Sequence, residues 1–212
     1  MTLDIEFKAF SALPERIGPD TGSLVVMPFI EPGLAKRSAR QLARRAGTAG
    51  LLYAVYDDKR LGFVAMANAV FRRSVSPWFG YAAQDAFAGR DWLRRGVEAL
   101  ERRSGGLLAF NDGKWNGALA AFGLVRREWA LENYGGDLFM SKYKRHYADA
   151  ELSLVAMQQK CLVYDPAAVL IEVDWEKEGQ GVEAADRALF HARARDNYGG
   201  RVADSELRRI FK

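Results

Sequence analysis

Acidic side chains stand at the ends of apolar runs throughout this sequence. LLYAVYDD closes on Asp57 and Asp58, PWFGYAAQD on Asp85 and LLAFND on Asp112, while DAELSLVAMQQKC opens on Asp149 with Glu151 two residues later. Carboxylates so placed can bind a hard cation. Mg²⁺ and Mn²⁺ take oxygen ligands and are commonly held by one or two carboxylates together with substrate phosphates. A separate carboxylate across a pocket can accept the proton of an attacking hydroxyl. Each acid also has a plainer use. Asp57, Asp58 and Asp112 suit the turn that follows a strand, and Asp85 suits a cap or turn before the helix near Trp92. Asp149 and Glu151 suit a helix start, where acids complement the macrodipole.

Other chemistries find little support. Neither GxGxxG nor GxxxxGK[ST] follows the first strand, where a dinucleotide site or a P-loop requires it, and no GxSxG elbow occurs. One cysteine, Cys161, and two histidines, His146 and His191, are too few for a thiolate or multi-histidine zinc site. A lone cysteine forms no internal disulfide, so a reducing, cytoplasmic setting is expected. Nothing approaches the roughly 18 apolar residues of a membrane span, which leaves a soluble protein free to touch a membrane peripherally. The net charge of +4 is a mild basic excess, spread over pairs such as Arg44-Arg45, Arg72-Arg73, Arg94-Arg95, Arg102-Arg103 and Arg126-Arg127. These read as solvated helix faces rather than a nucleic-acid footprint, so no nucleic-acid partner is expected.

The acids need elements to position them. SLVVMPFI is a continuous apolar run stopped by Pro32-Gly33, the pattern of a strand buried on both faces. LAKRSARQLARRAG places Leu34, Ser38 and Leu42 on one face and cations on the other, and ends on a capping glycine. LLYAVYDD is a second buried strand, and strand, helix, strand makes a right-handed βαβ unit whose ligands sit at the carboxyl ends of the strands. Further helices are predicted over 62–74, 92–106 and 149–161, and strands over 77–85 and 107–112. One antiparallel strand, a hairpin or a strand pair is expected after Asp112, and one or two short strands within 162–175. The fold expected is α/β, a three-layer sandwich on a mostly parallel sheet. Residues 1–22 read as an N-terminal appendage, 23–178 as the domain and 179–212 as a helical tail packing on it.

Taken in order, MPFI, YDD, RLGFVAMANAVF, WFGYAAQDAFAGRDWL, GGLLAFND and YADAELSLVAMQQK resemble family-2-like glycosyltransferases with the GT-A fold, over about Ser23 to Trp175. The resemblance implies transfer from a nucleoside-diphosphate sugar to a glycan, a lipid-linked molecule or another hydroxyl acceptor, with Mn²⁺ or Mg²⁺ assisting. It places Pro28 and Phe29 beside the nucleotide base, Asp57 at the base's imide and Asn68 along the nucleotide pocket. Asp85 falls at the metal and diphosphate, Asp112 at the mouth of the acceptor pocket, and Asp149 or Glu151 at the general base of an inverting transfer. Trp78, Trp92, Trp115, Trp129 and Tyr134 are read as packing residues, of which one or two can stack on a sugar.

Two departures bear on the metal. The acidic motif reads AAQDA, with Gln84 where these enzymes often carry a second Asp, and LIEVDWEKEG stands where a late histidine often completes the site. Glu172, Asp174 and His146 are the available substitutes, with nothing to choose among them. A noncatalytic relative that binds a nucleotide sugar or glycan is the alternative, and a nucleic-acid-binding protein ranks last.

Overall fold

Runs of Leu, Val, Tyr and Met seven residues long, unbroken by any charge, are too short for a core helix and suit a strand covered on both faces. Two of them, Ser23–Phe29 (β2) and Gly50–Tyr56 (β3), pair in parallel at the heart of the sheet. A computed structural model describes residues 1–173 and 184–211. Its other strands are Leu3–Ala9 (β1), Trp78–Tyr81 (β4), Ala86–Ala88 (β5), Leu107–Asn111 (β6), Gly123–Arg126 (β7) and Leu162–Glu172 (β8). The sheet order is β1-β3-β2-β4-β7-β6-β8-β5. β1, β3, β2 and β4 are parallel, as are β6 and β8. β7 runs antiparallel between β4 and β6, and β5 antiparallel along β8.

Strand alternation divides the core into two layers. Val25, Met27, Leu52 and Leu108 face α1 (Pro32–Arg45) and α3 (Trp92–Arg102). Leu24, Val26, Tyr53 and Ala109 face α2 (Phe63–Arg73), α5 (Ala148–Gln158) and α6 (Ala184–Arg195). This is the expected three-layer sandwich. Small residues Ala35, Ala39 and Ala43 let α1 lie close on the sheet, and the buried Trp92 indole donates to the Leu42 carbonyl at 3.0 Å, fastening α3 to the end of α1. Gly47 follows with φ +76°, where an added Cβ would lie 2.9 Å from the Asp91 Cα, so both the turn and the close approach require glycine there.

Two expectations change. Residues 1–22 are no mere appendage, because β1 pairs with β3 along its whole length and Leu3 and Ile17 join the core. Its alternating acids and Lys8 hid it, since the sequence reads polar while the strand exposes one edge to water. After Asp112 the expected antiparallel strand is a single one, β7, followed by the short helix α4 (Arg127–Leu131). The stretch 162–172 is one strand that serves two partners, with a register shift in its pairing to β6 around the Asp165-Pro166 step. The C-terminal helix packs more deeply than a covering tail. Phe190 and Tyr198 are fully buried, and Phe190 stacks on Tyr147 at 4.7 Å. The 178/179 division lies outside the described residues.

Candidate functional site

The parallel strands β2, β3, β4 and β6 all deliver their chain exits to one edge of the sheet, where Asp57, Asp85 and Asp112 follow β3, β4 and β6 in turn. Asp57 follows β3, and its N–H donates to the Phe29 carbonyl at 2.9 Å, joining the exits of two strands. Its carboxylate oxygens accept the N–H groups of Leu61 and Gly62 at 2.8 and 2.9 Å. Asp57 thus satisfies donors that open α2, and both oxygens are engaged there. Gly62 has φ +90°, and a Cβ there would meet the Lys144 carbonyl oxygen at 2.6 Å. The start of α2 therefore lies directly against the 141–147 loop.

Asp85 ends the loop that leaves β4. It is buried, and its backbone carbonyl accepts the N–H of Val173 at 3.2 Å, bringing the exits of β4 and β8 together. Gln84 faces the other way. Its Oε1 accepts the N–H groups of Ile30 and Glu31 at 2.8 and 3.0 Å, holding the turn from β2 into α1. Asp112 leaves β6, and its Oδ1 accepts the N–H groups of Lys114 and Trp115, both at 2.9 Å, which shapes the next loop. That loop carries Lys114, whose Nζ lies 4.0 Å from Glu172 at the end of β8. Pro28 and Phe29 are buried at the exit of β2, and the Phe29 ring lies between Phe7 and Tyr56, with centroids 5.9 and 5.5 Å away.

Asn68 is not open to the edge. Its amide donates to the Phe139 carbonyl at 3.0 Å and accepts the Phe139 N–H at 2.9 Å, pinning α2 to the segment that leads into α5.

The two acids of α5 have different surroundings. Asp149 is half-buried, accepts the Ala150 N–H at 2.9 Å, and bears electrostatically on the buried Tyr81 hydroxyl of β4. Burial pushes its carboxyl up to about 6. Burial acts this way because a charge loses hydration in the packed interior. Glu151 is wholly buried and closed in a bidentate pair with Arg193 of α6, both contacts 2.6 Å, while the Tyr143 hydroxyl donates to it at 2.9 Å. Burial, with the Glu151 charge adding to it, raises the Tyr143, Tyr134 and Tyr198 hydroxyls well above the usual tyrosine range.

Sequence reading missed Asp186 of α6. This buried carboxylate accepts the backbone N–H groups of Lys144, Arg145 and His146 at 3.0, 2.9 and 2.9 Å, fixing the loop ahead of Asp149. Its partners lie 40 to 42 residues away, so no local pattern announces it. Of the possible metal substitutes, Glu172 lies by Lys114, His146 sits in the Asp186-held loop, and Asp174 is outside the described residues. Among the described residues no group of three or more His, Cys, Asp or Glu side chains forms a ready metal cluster.

No protein-family model and no curated protein matches the sequence. Solved structures do. The mannosyltransferase PcManGT of Pyrobaculum calidifontis, in complex with GDP-Man and Mn²⁺, superposes with TM-score 0.57 at 16% identity, over 81% of this chain and 60% of that one. Residues 1–349 of TarS of S. aureus give TM-score 0.51 at 9% identity, over 70% and 59% of the two chains. The same TarS fragment with UDP gives TM-score 0.52 at 8% identity, over the same shares. The chain thus spans about three-fifths of the length of each of these neighbours. With its helices on both faces of a mostly parallel sheet and its strand exits at one edge, the chain has a GT-A-like fold.

Proposed function

We propose that this chain is a family-2-like glycosyltransferase that moves a sugar from a nucleoside-diphosphate donor to a hydroxyl of a glycan or lipid-linked acceptor. The observation that carries the reading is the presence, in one GT-A-like fold, of buried Asp85 at the carboxyl edge of the sheet and of Asp149 opening α5 with its carboxyl raised to about 6. A carboxyl of that strength is ionised near neutral pH, yet it is a stronger base than an ordinary carboxylate. Asp149 is then the base that takes the acceptor's proton as its oxygen attacks the anomeric carbon. Glu151, closed on Arg193, holds α5 in place.

Asp85 is the residue proposed to hold Mn²⁺ or Mg²⁺ jointly with the donor's phosphates. With Gln84 engaged at the β2–α1 turn, Asp85 is the acid of its motif, and one carboxylate is enough where the substrate supplies the other oxygens. When bound, the cation stabilises negative charge on the departing diphosphate. Pro28 and Phe29, with the Phe7 and Tyr56 rings beside Phe29, offer the nucleotide base an apolar wall. Asp57 keeps acceptor capacity on oxygens that already take two N–H groups, since each oxygen has a second lone pair. Asn68 shapes the pocket by bracing α2, and Asp112 by shaping the loop at the acceptor side.

The commitment of Gln84 also favours a second reading, a noncatalytic module that binds a nucleotide sugar without a metal. One experiment separates them. Melting temperature is followed with nucleoside diphosphates and their sugars, with and without Mn²⁺, in the native chain and in Asp85→Ala, alongside product formation in Asp149→Asn. Metal-dependent stabilisation lost in Asp85→Ala, with turnover lost in Asp149→Asn, supports the transferase. Metal-independent binding without turnover supports the module, and no stabilisation by any nucleotide refutes both.

A further inference from the structure

The outward face of α1 is densely basic. Pro32–Arg45 holds five cations, Lys36, Arg37, Arg40, Arg44 and Arg45, and no acid, one charge more than the whole chain's net of +4. Lys36, Arg40 and Arg44 repeat every fourth residue, so like charges stack along one stripe, an arrangement that weakens an isolated helix. Arg37 borders the stripe. All four are exposed and, with Gly33 and Gln41, line a shallow hollow of about 640 Å³.

Several arginines elsewhere are occupied. Arg94 pairs with Asp91 and Glu98 at 3.0 and 2.7 Å, Arg102 with Asp165 at 3.4 Å, Arg72 with Asp137 and Arg193 with Glu151. Arg126 and Arg127 lie over the rings of Trp78 and Phe71. Among the described residues none of Lys36, Arg37, Arg40 and Arg44 has an acid within ion-pair distance. Apolar side chains flank this stripe at both ends. Ile30, 60% exposed, lies two residues before the helix, separated from it by the N-cap Glu31. Phe87, 42% exposed, stands on β5, to which α1 is bonded through Ser38 and Gln41, and the Arg45 guanidinium lies 5.2 Å from its ring.

We propose that this face docks the protein on an anionic lipid bilayer, the cations among the headgroups and Ile30 and Phe87 entering the boundary beneath. Cations flanked by exposed apolar side chains are what an interfacial helix presents to such a surface. A nucleic acid would engage the cations equally well but leaves the exposed Ile30 without a role. Because only two residues separate α1 from the exit of β2, docking holds the mouth of the candidate site at the membrane. That consequence rests on the glycosyl-transfer reading and suits a lipid-linked acceptor, whereas the docking itself does not depend on it.

The test is co-sedimentation of the full chain with vesicles of phosphatidylcholine alone, and with about one-third phosphatidylglycerol, at low and high salt. Binding is expected only to the anionic vesicles and is lost in high salt. At roughly fivefold per cation, the Lys36→Gln/Arg40→Gln/Arg44→Gln variant binds about 100-fold more weakly. Phe87→Ser also weakens binding, while the control Arg102→Gln/Arg103→Gln leaves it near the native level. Melting curves of each variant confirm that it folds. Equal binding to both vesicle types, an equal loss in the control variant, or displacement from vesicles by a single-stranded oligonucleotide at matched phosphate concentration would each overturn the proposal. A chain that ignores nucleotide sugars yet sediments with anionic vesicles refutes the transferase reading and leaves the docking intact.

Discussion

Replacing Asp149 with Asn tests whether this carboxyl is held in surroundings that resist its charge. Its folded value of about 6 stands against an ordinary carboxyl value of 3.8. At about 1.4 kcal/mol per unit, the native state loses about 3 kcal/mol when Asp149 ionises. The sign follows from proton counting. Between pH 3.8 and 6 the native state binds more protons at this position than the unfolded chain, so stability falls as pH rises through that window and stays lowered above it. Asparagine keeps an acceptor for the Ala150 N–H and removes the ionisation. The variant should therefore match the native protein near pH 4 and exceed it above pH 7 by up to about 3 kcal/mol, or about 6–12 °C in melting temperature for a chain of this size. Paired melting curves at four pH values from 4 to 8 measure the gap. A gap that stays flat with pH, or closes as pH rises, would refute the reasoning. If Asp149 is also the base, native activity climbs with an apparent pKa near 6, and the more stable variant is inactive.

Three further predictions follow from named contacts. Arg193→Met leaves Glu151 buried without its cation and should cost about 3–5 kcal/mol in urea unfolding, with Glu151→Leu/Arg193→Met recovering part of that loss. Asp57→Ala strips the acceptor from two N–H groups at the start of α2 and should cost about 2–4 kcal/mol, with hydrogen exchange rising first at Leu61 and Gly62. Gly62→Ala forces a side chain into a positive-φ position against the Lys144 carbonyl, and a loss above about 1 kcal/mol is expected, measured by chemical denaturation.

Much of the architecture is legible because its signals are local. The unbroken apolar runs of β2 and β3, the cation-backed stripe of α1 and the glycine stops give the βαβ core directly. β1 escapes because Asp4, Glu6 and Lys8 alternate with Leu3, Ile5 and Phe7, a half-exposed edge pattern that seven residues state only faintly. The acids at the strand exits are visible for the same local reason, and their order along the chain suggests a site. What each carboxylate touches is not local. Glu151 meets Arg193 across 42 residues, and Gln84 meets the turn at Ile30 across 54. Likewise the arginine pairs look alike in sequence, and only the packed chain sets Arg94 and Arg102 beside acids, Arg45, Arg126 and Arg127 beside rings, and Arg44 beside neither among the described residues.

The two borders of the sheet carry a consequence for handling the protein. β3 is wholly apolar and would, if uncovered, present seven residues of open backbone to any passing strand. β1 seals that row and turns a charged sequence outward in its place. At the far border β5 is only three residues long and lies under α1, too short to template another chain. Removing the first nine residues therefore does more than shorten the protein. It exposes a sticky apolar ribbon, and the trimmed chain is expected to self-associate through β3 into sheet-rich aggregates, while the full chain stays dispersed.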